Sequence, residues 1–542
     1  MDAGRAYTSD PSPQAGFPPV SPSAGSPPAP PAGDDAARTA GRGGAAVAGA
    51  KLYFLLIGLV QQMALPWALG VEGYGALSRV LAITNVANNV MTQTGLQGAS
   101  RAVAQAGPGE RAGVERGLLR LHGLLALPLG LLFALLGPLV AEYMGAGHVA
   151  GLVRATALVV ASYALYAPVV GVINGRRLFG RQAALDVTYA TLRTVGLVGG
   201  ALLLGKAAAA SGAIGGFVLA AALATPLALT VAGLVPGRGG VKPALALGPY
   251  LAFLGPLALG QLFLNALMQV DISLLGRFAN EAALAAGLAG PAAAGAADRS
   301  VAIYRACQLF SFLPYQLLFA ITFILFPMLA KAQGEGDREA VARYVRTGVR
   351  LACLLVGGMV SVTFGLAPQL LSLVFPPEIA SQGGDALRLL ALGQGAFALF
   401  GIETTVLSSV HRERWTLWLN GAAALALFGL NFLIVPGAAV GGAIAARSAL
   451  ATGITMTVAL AAGGVAVARA TGALVRPLSA LRVLACFALA AFVGTRLPVG
   501  SRVLTLASAA LVGVVYAVAL VATRELGGAD LALVRRVVGR KR

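Results

Sequence analysis

The sequence predicts an all-α integral membrane protein with about 14 transmembrane helices, arranged as two six-helix lobes plus two extra C-terminal helices. Three observations carry that reading. Of 542 residues, 57% are hydrophobic and only 11% charged, whereas an average soluble domain has about 25% charged residues. Apolar runs long enough to cross a bilayer, which takes ~20 residues, recur from Lys51 to Thr523. Finally, basic residues concentrate in alternate connections, as the positive-inside rule requires. The ~10-residue alternating segments of a β-barrel are absent.

In chain order, residues 1–43 are rich in Pro, Ala, Gly and Ser and lack an apolar stretch behind a basic start. They are expected to form a disordered cytoplasmic tail rather than a signal peptide. An N-terminal lobe is expected over 44–236 with spans near 46–70, 76–97, 117–141, 152–174, 183–205 and 212–235. The Gly-rich basic segment GRGGVK (237–242) halves the chain. The C-terminal lobe, 237–465, opens with the polar-bearing hairpin 250–332, joined by an expected Ala-rich loop at 279–302, and continues with spans near 347–374, 385–410, 414–435 and 438–462. Two further spans lie within 466–523, and a basic cytoplasmic tail occupies 524–542.

Charge tests the count. With the N-terminus cytoplasmic, the inside connections hold 29 Lys and Arg and the outside ones 8, with Arg79, Arg193 and Arg447 inside spans. Both termini are therefore expected in the cytoplasm. The net charge of +19 sits in these short clusters, so nucleic acid is not an expected partner. The partners expected from this topology are membrane lipids and a translocated substrate. Cys307, Cys353 and Cys486 fall within spans, without metal-ligand or disulfide spacing. No phosphate-binding loop, H-E-x-x-H or G-x-S-x-G occurs, and no connection is long enough for a catalytic domain. The expectation is a non-enzyme with no cofactor and no metal site.

Polar residues inside the spans are the candidate functional groups, because such residues are costly in hydrocarbon and by default face a cavity or a partner. Asn85, Asn88, Asn89 and Thr92 follow spacings of 3 and 4 and are expected on one cavity-lining stripe. Asp186, Tyr189 and Arg193 repeat that spacing. Arg193, near mid-membrane, needs either Asp186 as a permanent partner or an anionic ligand, which guanidinium grips in bidentate fashion. Asn265 and Gln269 share a face with Gln261 in the hairpin. Asp271 is read as pairing with Arg305, binding a coupling Na⁺ or H⁺, or gating the lobes. Glu403 and Arg447 are read as a pair across the C-terminal lobe, with Glu403 also a coupling carboxylate. Arg79 is expected to snorkel. No role is assigned to His122, His148 or His411.

Several segments together resemble one family. GVEGYGALSRVLAI (70–83), VINGRRLFGRQAALDVTYATLRTVGLV (172–198), NALMQVDISLLGRF (265–278), AIYRACQLFSFLPYQLLFAITFILFPMLAKA (302–332) and VPGAAVGGAIAA (435–446) resemble, in order and spacing, the polysaccharide-transporter branch of the multidrug/oligosaccharidyl-lipid/polysaccharide exporter superfamily. The resemblance covers about 46–523, although 279–302 is longer than the family's connection. It implies a fourteen-helix flippase of the bacterial cytoplasmic membrane. Such a flippase works by alternating access and turns a lipid-linked oligosaccharide, usually on undecaprenyl pyrophosphate, across the bilayer for cell-surface polysaccharide biosynthesis alongside other assembly proteins. Arg193 and Arg447, with the Asn stripe, Asn265 and Gln269, are then expected to meet the substrate, and Asp271, Arg305 and Glu403 to gate or couple. The alternatives are a multidrug or cation antiporter of the same superfamily and a flippase for a lipid-linked peptidoglycan precursor.

Overall fold

The structure is a computed structural model that describes residues 34–234, 242–498 and 500–527. The described residues are almost entirely helical. Most of GRGGVK and the end of the basic tail lie outside them, as do residues 1–33 of the expected N-terminal tail. Residues 34–43 are helical rather than irregular, because α1 starts at Asp34.

α1 (Asp34–Gln105) holds two expected spans. It is broken at Gly70, whose φ of 70° and ψ of 172° lie in a region that only glycine enters at low cost. α2 (Arg111–Tyr143) returns. A 3₁₀ turn and α3 (Ala150–Ala155) then lead into α4 (Ala157–Gly175). α5 (Phe179–Leu203) and α6 (Gly205–Ala232) complete an N-terminal helix set. These helices pack chiefly on one another, α4 and α5 against α1 and α6 against α5.

The second set starts with α7 (Leu247–Ala285) and α8 (Gly290–Ser311). The expected Ala-rich loop is therefore mostly helix, and only 286–289 connect the two. Alanine has the highest helix propensity, which accounts for the difference. The next span is broken at Phe312, just before Pro314, and resumes as α9 (Leu313–Gly334). Then come α10 (Arg338–Gly365), the short α11 (Ala367–Val374) and α12 (Pro377–Ala380), α13 (Gly384–Ser409), α14 (Glu413–Ile434) and α15 (Gly442–Thr471). α16 (Pro477–Thr495) and α17 (Arg502–Ala522) pack on each other and on α10.

Eleven described helices are long and apolar enough to span a membrane, against the fourteen expected. The difference lies in α1, which counts once although it holds two expected spans, and in α5 and the broken α8–α9 helix, which fall outside the eleven. α5 carries Asp186 and Arg193, which lower its hydropathy. Leucines along α2 such as Leu127, 77% exposed, and Leu131, 63% exposed, point away from the protein. Apolar exposure on that scale is what hydrocarbon contact requires.

The two sets touch mainly through α1 against α7 and α8. A continuous core joins them near the Gly70 break, where Leu65, Leu69, Tyr74 and Leu77 pack with Val374, Phe375 and Ile379. Below, in terms of this Gly70 face, α9 packs on α10 and α13 of its own set.

Candidate functional site

The site is the seam where α1 meets α7 and α8. At the Gly70 face it is closed by charge and close backbone approach. Arg79, 2% exposed, donates to Asp298 Oδ1 at 3.1 Å and to the Met144 carbonyl at 2.8 Å. His148 lies 2.9 Å from the other Asp298 oxygen. Arg299 bonds Glu72, and Trp67 donates to the Val374 carbonyl at 3.0 Å. A Cβ on Gly75 would fall 1.9 Å from the Asp298 carbonyl, and one on Gly276 2.9 Å from Arg79 Nε. Arg79 thus does not snorkel: it crosses the seam, and His148, a residue without an expected role, shares its carboxylate. A cleft of about 680 Å³ at this face is lined by Glu72, Glu142, His148, Asn280 and Asp298 among others.

At mid-depth the amides meet. Asn89 Nδ2 donates to Asn265 Oδ1 at 2.7 Å, bridging the two sets. Asn265 also donates to the Gln261 carbonyl at 2.8 Å. The Asn stripe divides: Asn89 is exposed, Asn85 is half-buried and Asn88 is 4% exposed with its Oδ1 unpartnered. Adjacent residues on a helix point about 100° apart, so Asn88 and Asn89 cannot share one face. Gln269 is buried on α7.

Arg193 does not pair with Asp186. That carboxylate takes Lys51 at 3.0 Å, while Arg193 lies over the Phe217 ring at 5.3 Å and keeps a buried, unpartnered Nε. Arg193 and Arg305 are both half-buried.

Asp271 and Arg305 form no direct ion pair among the described residues. Asp271 is fully buried and is held by the Tyr304 hydroxyl at 2.6 Å, the Ile272 amide at 2.7 Å and Thr452 at 3.4 Å. Gln308 stands between the two: Arg305 donates to its Oε1 at 2.9 Å, and its Nε2 lies 3.5 Å from Asp271. Arg305 points along its own helix to Gln308, one turn on, and Tyr304 takes the carboxylate.

Glu403 and Arg447 are not paired either. Arg447 is exposed, in the second turn of α15, and caps the end of α14 through the Ile434 and Pro436 carbonyls at 3.4 and 2.9 Å. It stays outside the seam because α15 starts only at Gly442. Glu403 is 3% exposed, has an unpartnered Oε2 and lies against Gly463 and Gly464 of α15.

Residues 292–433 match the MatE family model. A search of curated proteins finds no significant sequence match. Among solved structures, the chain is similar to the lipid II flippase MurJ in an inward closed conformation, with a TM-score of 0.70 at 14% identity, covering 88% of this chain and 99% of that one. It is similar to an inward-facing multidrug resistance MATE family transporter of the MOP superfamily, with a TM-score of 0.61 at 16% identity over 77% of this chain and 96% of that one. A MOP superfamily transporter from Pyrococcus furiosus gives a TM-score of 0.54 at 16% identity over 79% and 95%. The chain therefore shares the all-helical fold of these solved transporters, and its residues 292–433 match the MatE family model.

Proposed function

We propose that the protein is a flippase for a lipid-linked oligosaccharide carried on undecaprenyl pyrophosphate, working by alternating access in the bacterial cytoplasmic membrane with both termini in the cytoplasm. The observation that carries this reading is that two half-buried arginines of the spans, Arg193 and Arg305, have no carboxylate within ion-pair distance among the described residues. A guanidinium held in a low-dielectric environment without a counter-charge is costly, and an anion beside it offsets that cost. A pyrophosphate offers oxygens to both in bidentate geometry, while its polyprenyl tail stays in hydrocarbon. A cationic drug would add a third positive charge there, which disfavours the multidrug or cation antiporter.

In this reading the Gly70 face is the periplasmic gate, closed by Arg79–Asp298 and Glu72–Arg299, and substrate enters from the cytoplasmic side. The expected domain parse follows, with lobes at 44–236 and 237–465 rocking about the α1–α7 and α1–α8 contacts. Asp271 and Glu403 are buried carboxylates placed to take a coupling Na⁺ or H⁺, and the membrane potential supplies ~2.3 kcal/mol per charge per 100 mV. A second glycan, the peptidoglycan precursor, is favoured by the TM-score of 0.70 against MurJ. Other polysaccharide-assembly proteins are then the expected neighbours.

The test is transport by the full-length protein in vesicles loaded with a fluorescent undecaprenyl-pyrophosphate oligosaccharide. Movement between leaflets is expected, and Arg193→Ala and Arg305→Ala should each slow it about tenfold or more, as loss of a charge-assisted contact implies. Normal flipping by both variants would remove the anion grip, and absence of any flipping by the wild type would remove the function.

A further inference from the structure

Two residues of the N-terminal helix set hold one carboxylate of the other set, and one of the two is a histidine. Asp298 on α8 is buried. One of its oxygens accepts from Arg79 Nη1 at 3.1 Å, and the other lies 2.9 Å from His148 Nε2. An ionised carboxylate only accepts, so Nε2 carries the hydrogen whether the ring is neutral or charged. Arg79 also places the histidine. Its Nη2 donates to the Met144 carbonyl at 2.8 Å, and the chain runs on from there into the 3₁₀ turn Gly147–Val149 that bears His148. That loop is seated on the opposite set, because a Cβ on Gly145 would fall 3.3 Å from Arg277 Cα and from Asn280 Cβ. Arg79 is enclosed, whereas the His148 side chain is 33% exposed and borders the cleft at this face. A proton can reach the ring from solvent while the seam is closed.

The charged groups around the ring come from five helices. α1 brings Glu72 and Arg79, α2 Glu142, α3 the exposed Arg154, α7 Arg277 and Glu281, and α8 Asp298 and Arg299. Glu72 is taken by Arg299, and Glu281 by Arg277. Of these residue types and histidine, only histidine ordinarily changes its charge between pH 5 and 8. The other two histidines are engaged elsewhere, His122 at 2.8 Å from the Tyr250 hydroxyl and His411 at 3.9 Å from Glu413.

We propose that His148 is a proton-operated clasp on the Gly70 face: a proton on its ring holds the two helix sets together through Asp298, and loss of that proton lets them part more readily. A neutral ring gives Asp298 an ordinary hydrogen bond. A charged ring gives it a charge-assisted one, roughly twice as strong. Arg79 and the charged ring stand on opposite oxygens with the carboxylate between them. The added attraction exists only while the sets are together, because parting them carries Asp298 away from the ring. Acid therefore favours the closed face and alkali releases it. The inference rests on the gate of the proposed flippase and adds its regulation. In the topology proposed above this face meets the outside, so protons from outside favour reclosure once the headgroup has left.

The experiment uses the full-length protein in nanodiscs with no lipid-linked substrate added. It reads amide hydrogen exchange at about pH 5.5 and about pH 8, each rate divided by the intrinsic rate at that pH. The reporting segments are 144–149 on one set and 290–298 on the other. Exchange registers openings too rare to appear as a second population. In the wild type both segments should be about three- to tenfold better protected at the acid pH, the range expected when a neutral hydrogen bond becomes charge-assisted at a partly exposed site. His148→Gln keeps a donor but cannot charge, and should give the lower protection at both pH values. His148→Arg carries a fixed charge and should give the higher protection at both. Wild-type protection that ignores pH would overturn the clasp, as would equal protection in the Gln and Arg variants. A pH response kept in full by His148→Gln would also overturn it and place the proton on Glu72, Glu142 or Asp298. Each of these results leaves the flippase standing, since no substrate is present. A wild type that shows the pH response but moves no lipid in the vesicle assay would remove the flippase and leave the clasp.

Discussion

Single side chains at the seam are placed where hydrocarbon makes every unmatched group expensive. Asp271 shows how a fully buried carboxylate is tolerated: the Tyr304 hydroxyl at 2.6 Å, the Ile272 amide and Thr452 all donate to it. Removing one donor leaves the acceptor partly unmatched at a cost of ~1–3 kcal/mol. Tyr304→Phe should therefore lower the thermal midpoint of the detergent-solubilised protein by several degrees, read by differential scanning fluorimetry, whereas Thr452→Ala, which removes a 3.4 Å contact, should lower it less. An unchanged midpoint in Tyr304→Phe would mean that this hydrogen bond contributes nothing net. Asp271→Asn keeps the shape and removes the charge. If Asp271 couples transport to an ion, the variant should fold normally and lose the dependence of flipping on a Na⁺ or pH gradient.

Helices were easier to read from the sequence than the contacts between them. Each expected span has a helical counterpart, because apolar runs of membrane length leave the backbone few alternatives. The turn at Gly70 was visible in GVEGYG. The Ala-rich stretch at 279–302 is mostly helix and not the expected loop, because span edges mark where hydrophobicity falls and not where alanine's helix propensity ends. Partners were mostly not legible. Arg79 finds Asp298 across 219 positions of sequence, Asp186 finds Lys51, and neither pairing leaves a local spacing. Arg447 lies near the start of α15 and not deep in the lobe, and a hydropathy run does not mark where that helix begins. The latch after α17 was likewise unseen. There Glu525 accepts from Arg350 at 2.9 Å and from Ser479, with Arg482 3.7 Å away. Burial disfavours its charge, yet these donors and cations outweigh it and hold the carboxyl below its ordinary 4.5. A depressed carboxyl stabilises the fold above its unfolded value and loses that contribution as pH falls through the folded value. Acidification below about 4.5 should therefore loosen the attachment of α16 and α17 to α10. Glu525→Gln should show a lower midpoint at neutral pH and a flatter acid limb in a pH series of thermal melts, and an identical acid limb would show that another group governs it.

For the whole molecule, the question is what separating the two helix sets at the Gly70 face would cost. Alternating access requires it, and the buried Arg79–Asp298 pair stands in the way. Breaking a buried pair by removing one partner costs ~3–5 kcal/mol, whereas removing both together is often near neutral. A ~3 kcal/mol change in the balance between closed and open forms moves their ratio by about two orders of magnitude. Gly75 adds a steric term, because a Cβ there would sit 1.9 Å from the Asp298 carbonyl, a contact that no side-chain adjustment relieves. Spin labels at Gly151 and Leu288, both exposed and on opposite sets at this face, report the separation by double electron–electron resonance. The wild type should give one short, narrow distance. Arg79→Ala and Gly75→Val should each shift the population to a longer, broader one. Adding Asp298→Ala to Arg79→Ala should recover thermal stability without restoring the short distance, because the unpaired charge is gone but so is the attraction across the seam. If Gly75→Val kept the short distance, the close approach of α1 and α8 would not be what closes this face.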